Sequence, residues 1–172
     1  MNLEELLKDK LTKSKEKTET LSTWLLNAAL KTNDLIEFAK NRKDPDKATC
    51  IEALEFATKQ QPTLMTTDAF VFVTTTLTAK APRVKWESAK VIGNTAALFP
   101  DQLDESIRNL LDNSEHEGTV VRWSAAYALG EIIKLKTPHN HELIPAVEAI
   151  CNREEKNSIR KIYLDALKKA AK

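Results

Sequence analysis

The chain has 172 residues, 42% hydrophobic and 30% charged, with only 3 glycines and 6 prolines. That composition gives a single domain with enough apolar side chains for a core, and too few turn formers for a hairpin-rich β fold. Its 26 basic and 25 acidic side chains leave a net charge of +1, so it lacks the overall basic surplus on which non-specific nucleic-acid binding depends.

The opening MNLEELLKDK lacks a signal-peptide core, and no run approaches the ~20 apolar residues of a membrane span. The expected compartment is therefore the cytoplasm, with no membrane partner. Residues 3–11 and 19–31, LEELLKDKL and ETLSTWLLNAALK, read as a loose first helix pair. Residues 34–42, DLIEFAKNR, read as a helix with Asp34 as N-cap and Glu37 three residues on. KDPDKATCIEALEFAT follows as a second helix after a polar break.

DAFVFVTTTLT, residues 68–78, is β-branched and aromatic, so its local propensity is that of a strand. Phe70, Val73 and Leu77 nevertheless keep helical spacing, and a lone strand would have no partner. It is read as a helix. RVKWESAKVIGNT (83–95), DQLDESIRNLLD (101–112, starting after Pro100), VVRWSAAYALGEI (120–132), residues 141–152 and SIRKIYLDALKKA (158–170) complete the series. Cys50 and Cys151 form no C-x-x-C pair and read as two buried, reduced thiols.

Four of these helices are copies of one pattern. Ala53, Ala89 and Ala126 coincide at offsets of 36 and 37, and Leu129 meets Leu167 at 38. A period of this length marks a stack of helix pairs. Gly93 and Gly130 fall at one repeat position, with Ala57 before them. A mid-helix glycine costs about 1 kcal/mol against alanine, so the repetition implies a close neighbour.

VRWSAAYALGEI closely resembles the second helix of HEAT-like repeats of the phycobilisome-lyase type, V-R-x-x-A-A-x-A-L-G-x-I. VKWESAKVIGNT is a fainter copy, and KDPD keeps an Asp-Pro-Asp start that such repeats often show. The resemblance implies an all-α, right-handed α-α superhelix of about five helix pairs, within the armadillo-like superfamily. It divides the single domain into an N-terminal capping pair, residues 1–32, and repeats at 33–62, 63–99, 100–136 and 137–172. It also implies a scaffold or adaptor that binds a protein or peptide, without enzymatic activity.

In stacks of this type the second helices line the concave face. At 100° per residue, Val121, Ala125, Leu129 and Ile132 share the buried arc. The opposite arc presents Ile51, Leu54 and Thr58, then Glu87, Lys90 and Asn94, then Ser124, Tyr127 and Glu131, then Ile162, Asp165 and Lys169. With Trp86 and Trp123 on its border, the stretch comprising Trp86, Glu87, Lys90, Asn94, Trp123, Ser124, Tyr127 and Glu131 is the expected partner-binding surface. The two tryptophans stack in register on neighbouring repeats, either as a shelf or as inter-helix filling. Lys85, Arg122 and Arg160 form a row beside the buried arc, expected to pack between repeats against acids or backbone carbonyls.

No catalytic residue, metal or cofactor is expected. His139 and His141 stand two apart before a helix, not at the i, i+4 spacing of a helical metal pair. Trp86-Glu87-Ser88-Ala89-Lys90 is similar to the W-D-x-V-D pattern of HEAT-like alkylpurine DNA glycosylases, but Lys90 stands where that chemistry needs an anion. The alternative function is thus a degenerate relative of those enzymes that binds DNA. Charge is uneven: residues 101–117 hold six acids against Arg108, and residues 153–172 hold seven bases against three acids.

Overall fold

The computed structural model describes all 172 residues, and every regular element in it is helical. Five pairs follow one another: α1 (Leu3–Lys8) with α2 (Ser14–Leu26), α3 (Thr32–Lys40) with α4 (Asp44–Gln60), α5 (Thr67–Thr76) with α6 (Pro82–Thr95), α7 (Asp104–Asn113) with α8 (Thr119–Lys134), and α9 (Asn140–Arg153) with α10 (Asn157–Ala170). Short 3-10 turns follow α4 and α6. The second helices form a continuous layer in the order α2, α4, α6, α8, α10, and α3, α5 and α7 pack side by side in another.

Local chemistry sets the helix starts. Pro45 and Pro82 lie in the first turns of α4 and α6, where a missing N–H costs nothing. α5 is capped by Thr66, whose hydroxyl accepts from the Ala69 N–H at 3.1 Å. This β-branched segment is a helix because Phe70, Val73 and Leu77 are buried together, and Phe70 stacks on Phe99 with ring centroids 4.5 Å apart. Packing overrides propensity there. Thr75 and Thr76 return their hydroxyls to the carbonyls of Val71 and Val73.

Several boundaries differ from the sequence reading: α1 ends at Lys8 rather than at 11, and α2 spans Ser14–Leu26 rather than 19–31, the chain leaving the helix before Ala28, whose φ is 64°. Asp34 is not an N-cap: α3 begins at Thr32, and Asp34 lies in its first turn, where a carboxylate still favours the helix dipole. Thr32 instead donates to the Leu64 carbonyl at 2.8 Å, fixing the start of α3 to the turn after α4. α7 starts at Asp104 rather than at 101, because residues 100–102 form a turn that brings Leu103 into the core.

The row of basic residues has one repeated task. Lys85 donates to the Leu77 carbonyl at 3.2 Å and to Asn113 Oδ1 at 3.0 Å. Arg122 donates to the carbonyls of His116 and Glu117 and pairs with Glu154, Nε to Oε2 at 3.1 Å. Arg160 donates to the Glu154 carbonyl. Each occupies the fourth position of its helix and ties down carbonyls of the segment leading into it: Leu77 and Glu154 at the ends of α5 and α9, and His116 and Glu117 in the turn before α8. Burial alone would raise the Glu154 carboxyl; the Lys156 N–H and the Arg122 guanidinium outweigh it and leave the group below its ordinary value.

No glycine has a positive φ, so Gly93 and Gly130 are required for room, not for backbone conformation. A Cβ on Gly130 would stand 3.2 Å from Ala166 Cβ and 3.8 Å from Ile162 Cγ2, both on α10. Gly130→Val is expected to destabilise the fold by about 2 kcal/mol, as overpacking does. Gly130→Ala is expected to cost far less, because helix propensity offsets most of one tight contact. Chemical denaturation of the two variants checks this, and an unchanged midpoint for the valine variant would contradict it.

Candidate functional site

The outward strip of the second-helix layer is narrower than the helical wheel suggests. Ile51, Leu54 and Thr58 have no exposed surface, and Ser124 is equally buried, its hydroxyl donating to the Val121 carbonyl at 2.8 Å. Glu87 is 4% exposed. These positions were expected to face outward. Each middle helix is flanked on both sides by a second helix and also covers its own first helix, so three directions are closed instead of one. Ile51, Glu87 and Ser124 are equivalents in successive repeats, and all three face a seam. Ser124 is therefore no contact residue.

What remains outward on α6 and α8 is Trp86, Lys90, Asn94, Trp123, Tyr127 and Glu131, joined by Lys134. Trp123 is exposed and stacks on Tyr127 of its own helix, with centroids 6.1 Å apart and planes 10° apart. Its aromatic partner is thus Tyr127 and not Trp86. Trp86 is half-buried, and its indole donates to Glu87 Oε1 at 2.9 Å.

Tyr127 joins the helices. Its hydroxyl donates to Asn94 Oδ1 at 2.6 Å, and the Asn94 amide donates to the Glu55 carbonyl at 3.1 Å and to Thr58 Oγ1 at 3.3 Å. The chain α8–α6–α4 is crossed by side chains that each satisfy the next. The Tyr127 ring lies over Gly93, where a Cβ would overlap its Cε1 edge and stand 2.8 Å from Cδ1. Here the close neighbour is a side chain and not a helix backbone. Burial, with Glu131 and Glu55 nearby, pushes the Tyr127 hydroxyl up to about 12, so it remains a donor.

The carboxylates are unevenly served. Glu131 pairs with Lys134 at 2.6 Å and Glu52 with Arg83 at 2.6 Å. Glu87 Oε1 receives Trp86 and, at 3.3 Å, Lys90, but Oε2 is buried with no partner. Burial raises the carboxyl groups of both Glu55 and Glu87, with Lys90 pulling the other way.

Elsewhere the chemistry is sparse. A cavity of about 420 Å³ lies at the turns before α8 and α10, where Arg122 and Arg153 are already paired with Glu154 and Glu115. His139 precedes α9 with Nδ1 3.4 Å from Asp104 Oδ1, and no group of three or more metal-ligating side chains forms. In the segment Trp86 to Lys90, Glu87 is buried, Ser88 is bonded to Thr76 at 2.7 Å and Lys90 contacts Glu87, so no carboxylate faces outward there. Cys50 and Cys151 are buried and unpaired, and no helix is long and apolar enough to cross a membrane.

Two outcomes follow from this geometry. Gly93→Ala should drive the Tyr127 ring off Asn94 and Trp123, seen as altered tryptophan fluorescence with retained helicity; an unchanged spectrum would contradict it. Second, Glu55 and Glu87 hold protons in the folded state at pH values where the unfolded chain, at an ordinary 4.5, has released them. They therefore withdraw stability as pH rises through that window. Relative to wild type, Glu55→Gln/Glu87→Gln should gain stability as pH rises from about 4.5 towards neutrality, measured by denaturation across pH; a pH-independent difference would contradict it.

No family model and no curated protein matches the chain. Solved structures do. A designed armadillo repeat protein in complex with the peptide (KR)4 aligns with a TM-score of 0.76 at 15% identity, over 98% of this chain and 80% of that one. A computationally designed armadillo repeat protein for modular peptide recognition gives 0.74 at 16%, over 97% and 80%. The CpcE–CpcF complex of phycocyanin lyase from Nostoc sp. PCC7120 gives 0.70 at 18%, over 95% and 94%. At these identities the likeness is one of fold: the chain is a HEAT/armadillo-like helical repeat, an all-α right-handed superhelix.

Proposed function

We propose that the protein is a non-enzymatic interaction module whose partner, a protein or peptide segment, docks along the second-helix face, the concave side of the stack, centred on α6 and α8. The observation that carries this is Trp123: a tryptophan 40% exposed on a helical face, held flat on Tyr127, which is itself held by Asn94 and the space over Gly93. Tryptophan and tyrosine are the residue types that dominate binding hot spots. Lys90, Glu131 and Lys134 around them form a polar rim of mixed sign. Because Tyr127 is fixed before any partner arrives, little ordering entropy is lost on docking. The peptide-bound armadillo design of similar fold supports a peptide partner.

This reading takes the division into a capping pair and four repeats as its frame, and the cytoplasm as its compartment. Its contact residues are Trp86, Lys90, Asn94, Trp123, Tyr127 and Glu131. Crosslinking in native lysate with mass spectrometry identifies the partner without assuming its class. Trp123→Ala should then weaken that partner at least tenfold, ~1.4 kcal/mol, with helicity and melting temperature nearly unchanged. Unchanged binding, with loss on Lys168→Glu/Lys169→Glu, would move the working surface to the basic C-terminal helix.

A further inference from the structure

On the first-helix side, α9 is not packed on α7 as closely as α7 is on α5. The repeat shows why. At an offset of 37, Ala69 and Val73 of α5 become Ser106 and Leu110 of α7 and then Leu143 and Val147 of α9, all of them buried. The seam between α5 and α7 is clasped by side chains. The hydroxyls of Thr74 and Ser106 bond at 2.8 Å, and Asn109 and Asn113 donate to the Thr74 and Leu77 carbonyls, both at 3.1 Å. One repeat on, those four positions hold Leu111, Leu143, Ala146 and Ile150, whose side chains have no hydrogen-bonding group. The aromatic cover is lost as well. Phe70 stacks on Phe99 at 4.5 Å, but their equivalents are Ile107 and Lys136, and Lys136 is exposed.

Side-chain polar contacts pin the seam between α7 and α9 only at its ends. His139 Nδ1 lies 3.4 Å from Asp104 Oδ1 at one, and Arg153 meets Ser114 and Glu115 at 3.4 and 3.2 Å at the other. Beyond the His139–Asp104 contact opens a cleft of about 350 Å³, within the ~300–1,000 Å³ of small-molecule sites. Its floor is Ile107, Leu111 and Leu143. Arg108 and Glu142 stand on opposite walls, one on each helix. Both are exposed, and neither side chain makes a hydrogen bond or ion pair, although their charges are opposite.

We propose that this cleft binds a free α-amino acid with a large apolar side chain. The site lies apart from the second-helix docking face and does not depend on it. An ammonium and a carboxylate on one carbon supply the opposite charges that Glu142 and Arg108 lack. The guanidinium takes the carboxylate with its planar fork, and the Glu142 carboxylate accepts from the ammonium. The side chain covers Ile107, Leu111 and Leu143, which removes apolar surface from water. An aromatic ring there replaces the cover that Phe99 gives Phe70 one repeat earlier. Exposed ion pairs each add little, so neither charge holds a ligand alone. Selectivity comes from requiring both charges and the apolar group together.

The test follows the methyl signals of Ile107, Leu111 and Leu143 in 13C NMR spectra of the full chain, with L-phenylalanine as the probe. Phenylalanine should shift all three saturably. Phenylalanine amide lacks the carboxylate, N-acetylphenylalanine the ammonium and glycine the apolar group, and each should bind about fivefold more weakly or worse, the upper end for one exposed ion pair. Arg108→Gln and Glu142→Gln should each weaken phenylalanine by about the same factor, whereas Glu148→Gln, on α9 outside the cleft, should leave it unchanged. Ile107→Phe installs the residue that α5 carries at this position; it should fold, fill the cleft and fail to bind. Undiminished affinity for the amide and the N-acetyl compound, or after both glutamine substitutions, would overturn the amino-acid site. Phenylalanyl-glycine or glycyl-phenylalanine binding as tightly as phenylalanine would sink the assignment to a free amino acid and make the occupant a peptide terminus. An absence of saturable shifts up to the solubility of phenylalanine would remove the cleft as a binding site, while leaving the docking face on α6 and α8 standing.

Discussion

Lateral packing of second helix on second helix carries this structure. α2, α4, α6, α8 and α10 form its continuous layer, and they approach closely because the seam positions are small: Ala53 and Ala57, Ala89 and Gly93, Ala126 and Gly130, then Ala166. Glycine in a helix interior is unfavourable on its own. It is kept at two equivalent places because a neighbour occupies the volume of the missing methyl, α10 at Gly130 and the Tyr127 ring at Gly93. The first helices are secondary to this layer. They close its other face and add large apolar side chains, such as Leu35, Phe70 and Leu110, to those of the second helices, such as Leu54, Ile92 and Tyr163.

Polar groups within the stack set the register that apolar packing leaves loose. Lys85 and Arg160 bond carbonyls at the end of the preceding helix and Arg122 those of the turn before its own helix, so each of these pairs is locked at its turn. Asn109 and Asn113 on α7 donate to the Thr74 and Leu77 carbonyls of α5, both at 3.1 Å, doing the same between neighbouring first helices. Buried hydrogen bonds of this kind add little net stability each, but leaving one unmade is costly. They penalise sliding more than they reward contact. That rigidity lets a few side chains on α6 and α8 hold a fixed arrangement at the surface.

Against that background Glu87 is one of four exceptions, the others being Arg42 Nε, Asn140 Oδ1 and the Tyr163 hydroxyl. Almost every buried polar group between the helices has its partner, whereas this carboxylate has one oxygen served twice and the other not at all. Sequences that otherwise satisfy every local rule tend to break one at functional places. The same two helices carry the Asn94–Tyr127 link and the Trp123–Tyr127 stack, so the unsatisfied carboxylate and the ordered aromatic surface lie on adjoining parts of one face.

The sequence by itself determined the helices, their pairing and their period. These follow from the spacing of apolar residues along one chain, and the buried arc of α8 through Val121, Ala125, Leu129 and Ile132 is as that spacing requires. It also determined that Gly93 and Gly130 have close neighbours and that the basic row is structural, because both features recur at repeat positions. Only the tertiary structure decided which flank residues reach solvent. A helical wheel assigns one buried side, but a helix inside a stack has neighbours on three, so Ser124, Ile51, Leu54, Thr58 and Glu87 are enclosed by helices 30 to 40 residues away in the chain. The same holds for Tyr127, whose partners Asn94 and Gly93 lie on the adjacent helix. Periodicity records how a helix faces its own core. It carries no term for the distance to the next helix, and that distance sets both the burial of Glu87 and the placement of Tyr127.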